Sequence, residues 1–118
     1  MTDINVTITE TANAEARAVA LSGELDEVSV DTVKAQLDTV INDTGVKYLI
    51  LDFTDLSFIN SKGIGFLVWI HTHLAKEQRQ LMLVAANEAV MDVISLVGLP
   101  TIVPYHKDVE EALANLNA

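Results

Sequence analysis

Residues 48–65 read YLILDFTDLSFINSKGIG, and this stretch decides the fold prediction. Residues 48–51 are apolar, a pattern typical of a central strand that is covered on both faces. A helix is predicted to begin near Ser61. Its apolar stripe consists of Ile64, Leu67, Val68, His71 and Leu74. Segment 52–65 therefore joins the end of a central strand to a helix, which is where open α/β sheets usually bind ligands or partners.

Two strands and a helix are predicted before this segment. Ile4, Val6 and Ile8 alternate with polar residues, which indicates a half-buried strand, and residues 17–21 predict a second strand after a turn at 12–15. Residues 23–26, Gly-Glu-Leu-Asp, are predicted to form a loop. The apolar positions of the first helix are Val30, Val33, Leu37, Val40 and Ile41.

Two more strands and two more helices are predicted after it. Residues 81–84 indicate a buried strand, and residues 102–103 indicate a short strand that ends at Pro104. Between them the third helix has the apolar positions Val90, Val93, Ile94 and Val97. Gly98 and Pro100 end that helix. The last helix has Asp108, Glu110 and Glu111 in its first turn and Val109, Leu113 and Leu116 on its buried face.

The order β-β-α-β-α-β-α-β-α predicts a single α/β domain over residues 1–118. Its sheet is expected to be mixed and mostly parallel, with one antiparallel pair formed by the first two strands. At this length the chain is one domain rather than two.

The composition excludes several classes of protein. Half of the residues are hydrophobic and 20% are charged, so the chain is expected to fold, and the absence of cysteine excludes disulfides and a thiol nucleophile. A net charge of -10 disfavours nucleic acid and anionic membranes as partners. With no leader sequence and no apolar run long enough to span a membrane, we expect a soluble, cytoplasmic protein. We also expect it to need no cofactor and no metal.

Tests for catalytic motifs are negative. Gly63 and Gly65 lack the third glycine of a dinucleotide fingerprint, and the chain contains no phosphate-binding loop motif. A two-component receiver needs a pair of acids after its first strand, where only Glu10 stands. If Ser61 were a nucleophile, His71 would lie about 15 Å farther along the same helix, too far to act as its base. The chain is therefore not expected to be an enzyme.

Ser61 has two interpretations from the residues alone. Serine is a favoured N-cap, so Ser61 could simply accept a hydrogen bond from the first turn of the helix. Alternatively, Ser61 is a modification site: Gly63 and Gly65 are costly in a helix and remove side chains around the hydroxyl. Leu56, Phe58 and Ile59 are expected to be partly exposed and to form a docking surface beside it.

Residues 55–65, DLSFINSKGIG, resemble the signature of STAS domains, and most closely that of the bacterial anti-sigma factor antagonists. Gly-Glu-Leu-Asp at 23–26 matches a second segment of that family, and Val-Gly-Leu at 97–99 fits the end of its third helix. The resemblance extends from about Ile4 to Leu116. It implies a regulatory protein without catalysis of its own.

The resemblance also implies partners and a mechanism. The unphosphorylated protein is expected to bind an anti-sigma factor, a serine kinase of the histidine-kinase-like ATPase fold, and so to free a sigma factor. Phosphorylation of Ser61 breaks the complex, and a metal-dependent serine phosphatase reverses it. The residues expected to line the partner surface are Asp26, Asn60, Ser61, Lys62, Gly63 and Gly65.

The chain departs from the family signature at two positions. The family usually has Asp directly before its serine and Ser or Thr directly after it, whereas this chain has Asn60 and Lys62. A cation at residue 62 could pair with a phosphate on Ser61 or select a different kinase. Some STAS relatives are unphosphorylated scaffolds or subunits of transport complexes, and this remains the alternative prediction.

Overall fold

The predicted order of strands and helices is confirmed. The computed structural model describes residues 4–116. The strands are β1 Ile4–Glu10, β2 Ala16–Leu25, β3 Tyr48–Ile59, β4 Gln80–Val84 and β5 Tyr105–His106. The helices are α1 Val30–Ile41, α2 Ser61–Ala75, α3 Glu88–Leu96 and α4 Val109–Ala114. No helix in this described part is both long enough and apolar enough to cross a membrane.

The five strands form one sheet in which the spatial order follows the chain order, β1-β2-β3-β4-β5. β1 pairs with β2 in antiparallel fashion and the other neighbours are parallel, so the mixed, mostly parallel sheet is confirmed. Buried side chains of α1, α2 and α3 pack on one face of the sheet. Ala112 of α4 packs on the other face, against Ala16, Tyr48 and Ile50.

β3 is much longer than the apolar run of residues 48–51 predicts. β4 pairs only with the first part of β3, from Tyr48 to Asp52. Beyond that point β3 continues beside β2, with two irregularities at which β3 contains one extra residue each. These bulges disturb the alternation of buried and exposed residues that identifies a strand in a sequence. The prediction that residues 23–26 form a loop is wrong for residues 23–25, because β2 extends to Leu25; Asp26 lies in the loop that follows.

The segment between α3 and β5 also differs from its prediction. Residues 102–103 do not form a strand; a short 3-10 helix, Leu99–Thr101, precedes them and Ile102 is half exposed. Val97, predicted to be on the buried face of α3, is exposed, because the helix ends at Leu96 and the chain turns through Gly98 at a φ of 74°. A left-handed turn of this kind leaves the last apolar residue outside the packed stripe.

Arg79 is a buried charged residue that joins α1 to the end of α2. Its Nε donates to the carbonyl oxygen of Val46 at 2.7 Å, and Nη1 and Nη2 donate to Ile41 and Val40 at 2.6 and 2.9 Å. Nη1 also pairs with the half-exposed carboxylate of Glu77. The guanidinium therefore donates to three carbonyl groups at and beyond the end of α1, of which, among the described residues, only that of Val40 also accepts a backbone N–H, from Asp43.

A tight turn at the end of α2 directs Arg79 toward α1. Gln78 has a φ of 59°, its N–H donates to Ala75, and the N–H of Arg79 donates to Leu74. This pair of bonds is the Schellman motif, which usually has glycine at the left-handed position. The turn brings the side chain of Arg79 over the last carbonyl groups of α1.

Candidate functional site

Asn60, rather than Ser61, caps the start of α2. The side-chain oxygen of Asn60 accepts hydrogen bonds from the backbone N–H groups of Lys62 and Gly63, both at 3.1 Å. Ser61 is the first residue of the helix, and it is exposed. Within residues 4–116 its hydroxyl has no hydrogen-bond partner. The interpretation of Ser61 as the N-cap is therefore wrong, and the hydroxyl is free to react.

We expect Asn60→Ala to lower the free energy of unfolding by about 1 kcal/mol, because it removes the cap of α2. Ser61→Ala should change the same quantity by less than about 0.5 kcal/mol, since the hydroxyl has no role in the fold. Urea unfolding of the two variants and the wild type measures both values. A loss of stability that is larger for Ser61→Ala than for Asn60→Ala would contradict this assignment of the cap.

The two glycines beside Ser61 have different roles. A Cβ on Gly63 would lie 2.7 Å from the carbonyl oxygen of Leu25 and 2.7 Å from Cγ1 of Ile59, so Gly63 allows α2 to pack closely on the ends of β2 and β3. Gly63 is buried, so its missing side chain does not clear the surface around Ser61 as the sequence suggested. Gly65 is exposed, and a Cβ there would contact nothing within 4 Å. Only Gly65 leaves open space beside the serine.

The loop between β2 and α1 lies next to the start of α2. Asp26 is almost fully buried; its carboxylate accepts hydrogen bonds from the N–H groups of Val28 and Ser29 at 2.9 and 3.1 Å. Asp26 therefore organises the start of α1. Its neighbour Glu27 accepts a hydrogen bond from the side-chain amide of Asn60. Glu27 thus joins this loop to the cap of α2.

Apolar side chains are exposed around this junction. Phe58 is 46% exposed and Val28 is 64% exposed. The expectation that Leu56 and Ile59 would also be exposed is wrong, because both are in the core. A groove of about 200 Å³ runs between the end of β3 and α3. Its lining residues are Ser57, Phe58, Ile59, Ala89, Val90 and Val93.

A second groove, of about 300 Å³, lies between α1 and α2. α1 contributes Val30, Asp31 and Lys34, and α2 contributes Ser61, Lys62, Gly65, Phe66 and Trp69. Ser61, Gly65 and Trp69 are spaced four residues apart, which places them along one face of the helix. The sequence prediction overlooked Lys34 and Trp69, although this spacing was a signal for Trp69.

Trp69 lies at the far end of this second groove. Its ring stacks on Phe66 and on His73, with centroid distances of 6.3 and 5.3 Å. Nζ of Lys34 lies 4.4 Å from its centroid, within the range of a cation–π interaction. His73 is half buried in this stack. Over residues 4–116, no group of three or more His, Asp or Glu side chains is arranged to hold a metal ion.

The fold and this surface define a small α/β domain with an exposed serine at the carboxyl edge of its sheet. A family model described as STAS domain matches residues 4–112, so the chain belongs to the STAS domain family. The anti-sigma F factor antagonist of Paenibacillus polymyxa is 28% identical over 98 residues, which covers 83% of this chain and 84% of that protein. The resemblance stated from the sequence is confirmed.

Solved structures agree with this assignment. An anti-sigma factor antagonist from Mycobacterium paratuberculosis has a TM-score of 0.83 and 25% identity, covering 95% of this chain and 92% of that chain. The Bacillus cell fate determinant SpoIIAA, in its phosphorylated form, has a TM-score of 0.72 and 25% identity, covering 96% of this chain and 100% of that chain. Its unphosphorylated form has a TM-score of 0.76, with 26% identity and the same coverage.

Proposed function

We propose that this protein is an anti-sigma factor antagonist whose binding is switched by phosphorylation of Ser61. In the unphosphorylated form it binds an anti-sigma factor that is also a serine kinase of the histidine-kinase-like ATPase fold, and so frees a sigma factor. A metal-dependent serine phosphatase restores this form. The observation that carries the proposal is the exposed hydroxyl of Ser61, which makes no hydrogen bond within the described residues.

The chemical step is a phosphoryl transfer from ATP. The kinase transfers the γ-phosphoryl group to the Oγ of Ser61, the bond from that phosphorus to the β-phosphate oxygen breaks, and ADP leaves. The hydroxyl proton passes to a base of the kinase. The modified serine gains nearly two negative charges at the amino end of α2, which the helix dipole tolerates. We therefore expect the modified protein to remain folded and its affinity for the partner to change.

The surroundings of Ser61 indicate the chemistry of that partner. Val28 and Phe58 are exposed apolar side chains that suit the desolvated centre of an interface. Glu27, Asp55 and Glu88 are exposed acids near the carboxyl edge of the sheet. The complementary partner surface has an apolar centre with basic residues around it. The basic residues would pair with these acids, and the apolar centre would lose affinity if it had to close on a phosphate instead of the small, neutral hydroxyl of Ser61.

The relatives give independent support for a switch. SpoIIAA, which is similar to this chain over almost its whole length, has been solved in both a phosphorylated and an unphosphorylated form. Curated relatives of this chain carry the name of antagonist to either the anti-sigma F or the anti-sigma-B factor. These relatives support the proposal that Ser61, the exposed serine at the start of α2, is the phosphorylated residue.

A matched pair of variants tests this proposal. Ser61→Ala should retain the affinity of the wild type for the anti-sigma factor kinase of the source organism, whereas Ser61→Asp should bind about tenfold more weakly or worse, which corresponds to at least about 1.4 kcal/mol. Titration calorimetry measures both affinities. Thr72→Asp, an exposed site about 16 Å along α2, is the control for added charge alone.

Incubation with the same kinase and ATP tests the modification itself. We expect the wild type to gain the mass of one phosphoryl group and Ser61→Ala to gain none. Equal affinity of the Ala and Asp variants would refute the switch and favour an unphosphorylated STAS scaffold or transport-complex subunit. Phosphorylation of the Ser61→Ala variant would show that another residue is the acceptor.

A further inference from the structure

The groove between α1 and α2 contains two cations beside the proposed phosphorylation site. Lys62 follows Ser61 directly, and Lys34 projects from α1 into the same groove. Lys34 forms no ion pair with any residue from 4 to 116; its ammonium group lies over the ring of Trp69. Asp31 is the one acid among the lining residues, so the lining carries a net charge of one positive unit. The groove therefore suits an anion.

The groove extends along α2 from Ser61 to Trp69, and Lys34 of α1 is one of its lining residues. Trp69 is eight residues beyond Ser61, about 12 Å along the helix, and Gly65 lies halfway. α1 and α2 both run back from the carboxyl edge of the sheet, so residues of their first turns lie side by side. Lys34 lies one turn into α1 and Gly65 one turn into α2, and both line the groove. Gly65 presents no side chain there, which leaves the path from Trp69 to Ser61 open.

We propose that the α1–α2 groove is a phosphate-binding site that receives the phosphoryl group of Ser61, and that Lys34 leaves the ring of Trp69 to pair with it. This inference rests on the proposed modification of Ser61. A cation over an exposed aromatic ring is held weakly, whereas an ammonium–phosphate pair is a charge-assisted hydrogen bond. The phosphate also has nearly two charges to neutralise, and Lys62 alone supplies one. The exchange of partners by Lys34 is therefore favourable.

One consequence is that phosphorylation alters the groove as well as the charge at Ser61. The phosphate occupies the end of the groove beside Ser61, and Trp69 loses its cation. A partner that inserts a side chain into the groove of the unmodified protein would find that end of it filled. The change reaches Trp69, about 12 Å along α2 from the modified atom.

Fluorescence of Trp69, the single tryptophan of the chain, tests this inference. The full chain is prepared with phosphoserine installed at residue 61 during synthesis, so no kinase and no partner is needed. We expect its emission to differ from that of the unmodified chain. Lys34→Gln alone should reproduce the emission of the phosphorylated protein, and phosphorylation of that variant should change nothing further. Lys62→Gln should retain the response, because Lys62 does not contact Trp69.

The phosphorus NMR signal of the same protein gives a direct measure of the pairing. The second pKa of the phosphoserine should be lower in the wild type than in Lys34→Gln by about half a unit, because the ammonium group stabilises the dianion. Equal pKa values, or an emission change that persists in Lys34→Gln, would overturn the inference.

These outcomes are independent of the test of the proposed function. Phosphoserine is built into the chain, so a missing natural kinase cannot cause a negative result. Conversely, loss of partner binding in Ser61→Asp with no response of Trp69 would support the switch and refute the phosphate site. Circular dichroism of each variant confirms that a silent result does not come from unfolding.

Discussion

The Arg79→Met variant should lose at least about 3 kcal/mol of unfolding free energy, because it removes three buried hydrogen bonds and leaves the carbonyl groups of Ile41 and Val46 without a donor. The guanidinium is the hydrogen-bond donor to the oxygens of Val40, Ile41 and Val46, at the end of α1 and just beyond it. Methionine fills a similar volume, so the cost comes from lost hydrogen bonds rather than from a cavity. Urea or thermal unfolding measures it.

Two other substitutions separate the contribution of the carbonyl hydrogen bonds of Arg79 from that of its ion pair with Glu77. Arg79→Lys keeps the charge but cannot donate to three oxygens at once. Its free energy of unfolding should therefore lie between those of Arg79→Met and the wild type. Glu77→Gln removes the half-exposed partner of Arg79 and should cost less than about 1 kcal/mol. If Glu77→Gln were as destabilising as Arg79→Met, the ion pair rather than the carbonyl contacts would be the important interaction.

Gly63→Ala should destabilise the protein by about 2 kcal/mol, because the added methyl group would overlap atoms of two strands. One of these atoms is the carbonyl oxygen of Leu25, a backbone atom of β2 at 2.7 Å that cannot rotate away. To relieve the overlap, the first turn of α2 must move away from the sheet, and Ser61 moves with it. Partner affinity should therefore fall together with stability.

Gly65 offers a matched control on the same helix. Gly65→Ala adds the same methyl group where nothing lies within 4 Å, so it should stabilise the protein by up to about 1 kcal/mol through the better helix propensity of alanine. Unfolding curves of the two variants give the difference directly. Equal effects at residues 63 and 65 would mean that the close approach of α2 to the strands has no energetic importance.

The parts of the fold that sequence reasoning predicted well are those with a single clear periodicity. The apolar positions of α1, at helical spacing, and the uninterrupted apolar run of β4 both lie in the core. The carboxyl half of β3 was missed because its bulges break the period of two, so Asp52 to Ile59 resembles a loop in the sequence. Residues 102–103 show why a short apolar pair is a weak signal: two residues have no period that distinguishes a strand from a turn.

In the candidate site, too, some features can be predicted from the sequence and others cannot. Its position and its central residue follow from the sequence, since strand ends and helix starts can be found from one chain. The identity of the cap could not be predicted, because Asn60 and Ser61 are both good N-caps and only backbone geometry distinguishes them. The contact between Lys34 and Trp69 could not be predicted from the sequence, because the two residues are 35 positions apart and lie on different helices.

The order of strands in the sheet is also the order in which a ribosome makes them. Each new parallel strand finds its pairing edge already present on the strand made just before it, and no strand has to enter between two others. Loops that join neighbours in this way have a small entropic cost of closure, which favours rapid folding. The elements around Ser61 end with α3, so the strand pairing behind this surface does not depend on β5 or α4.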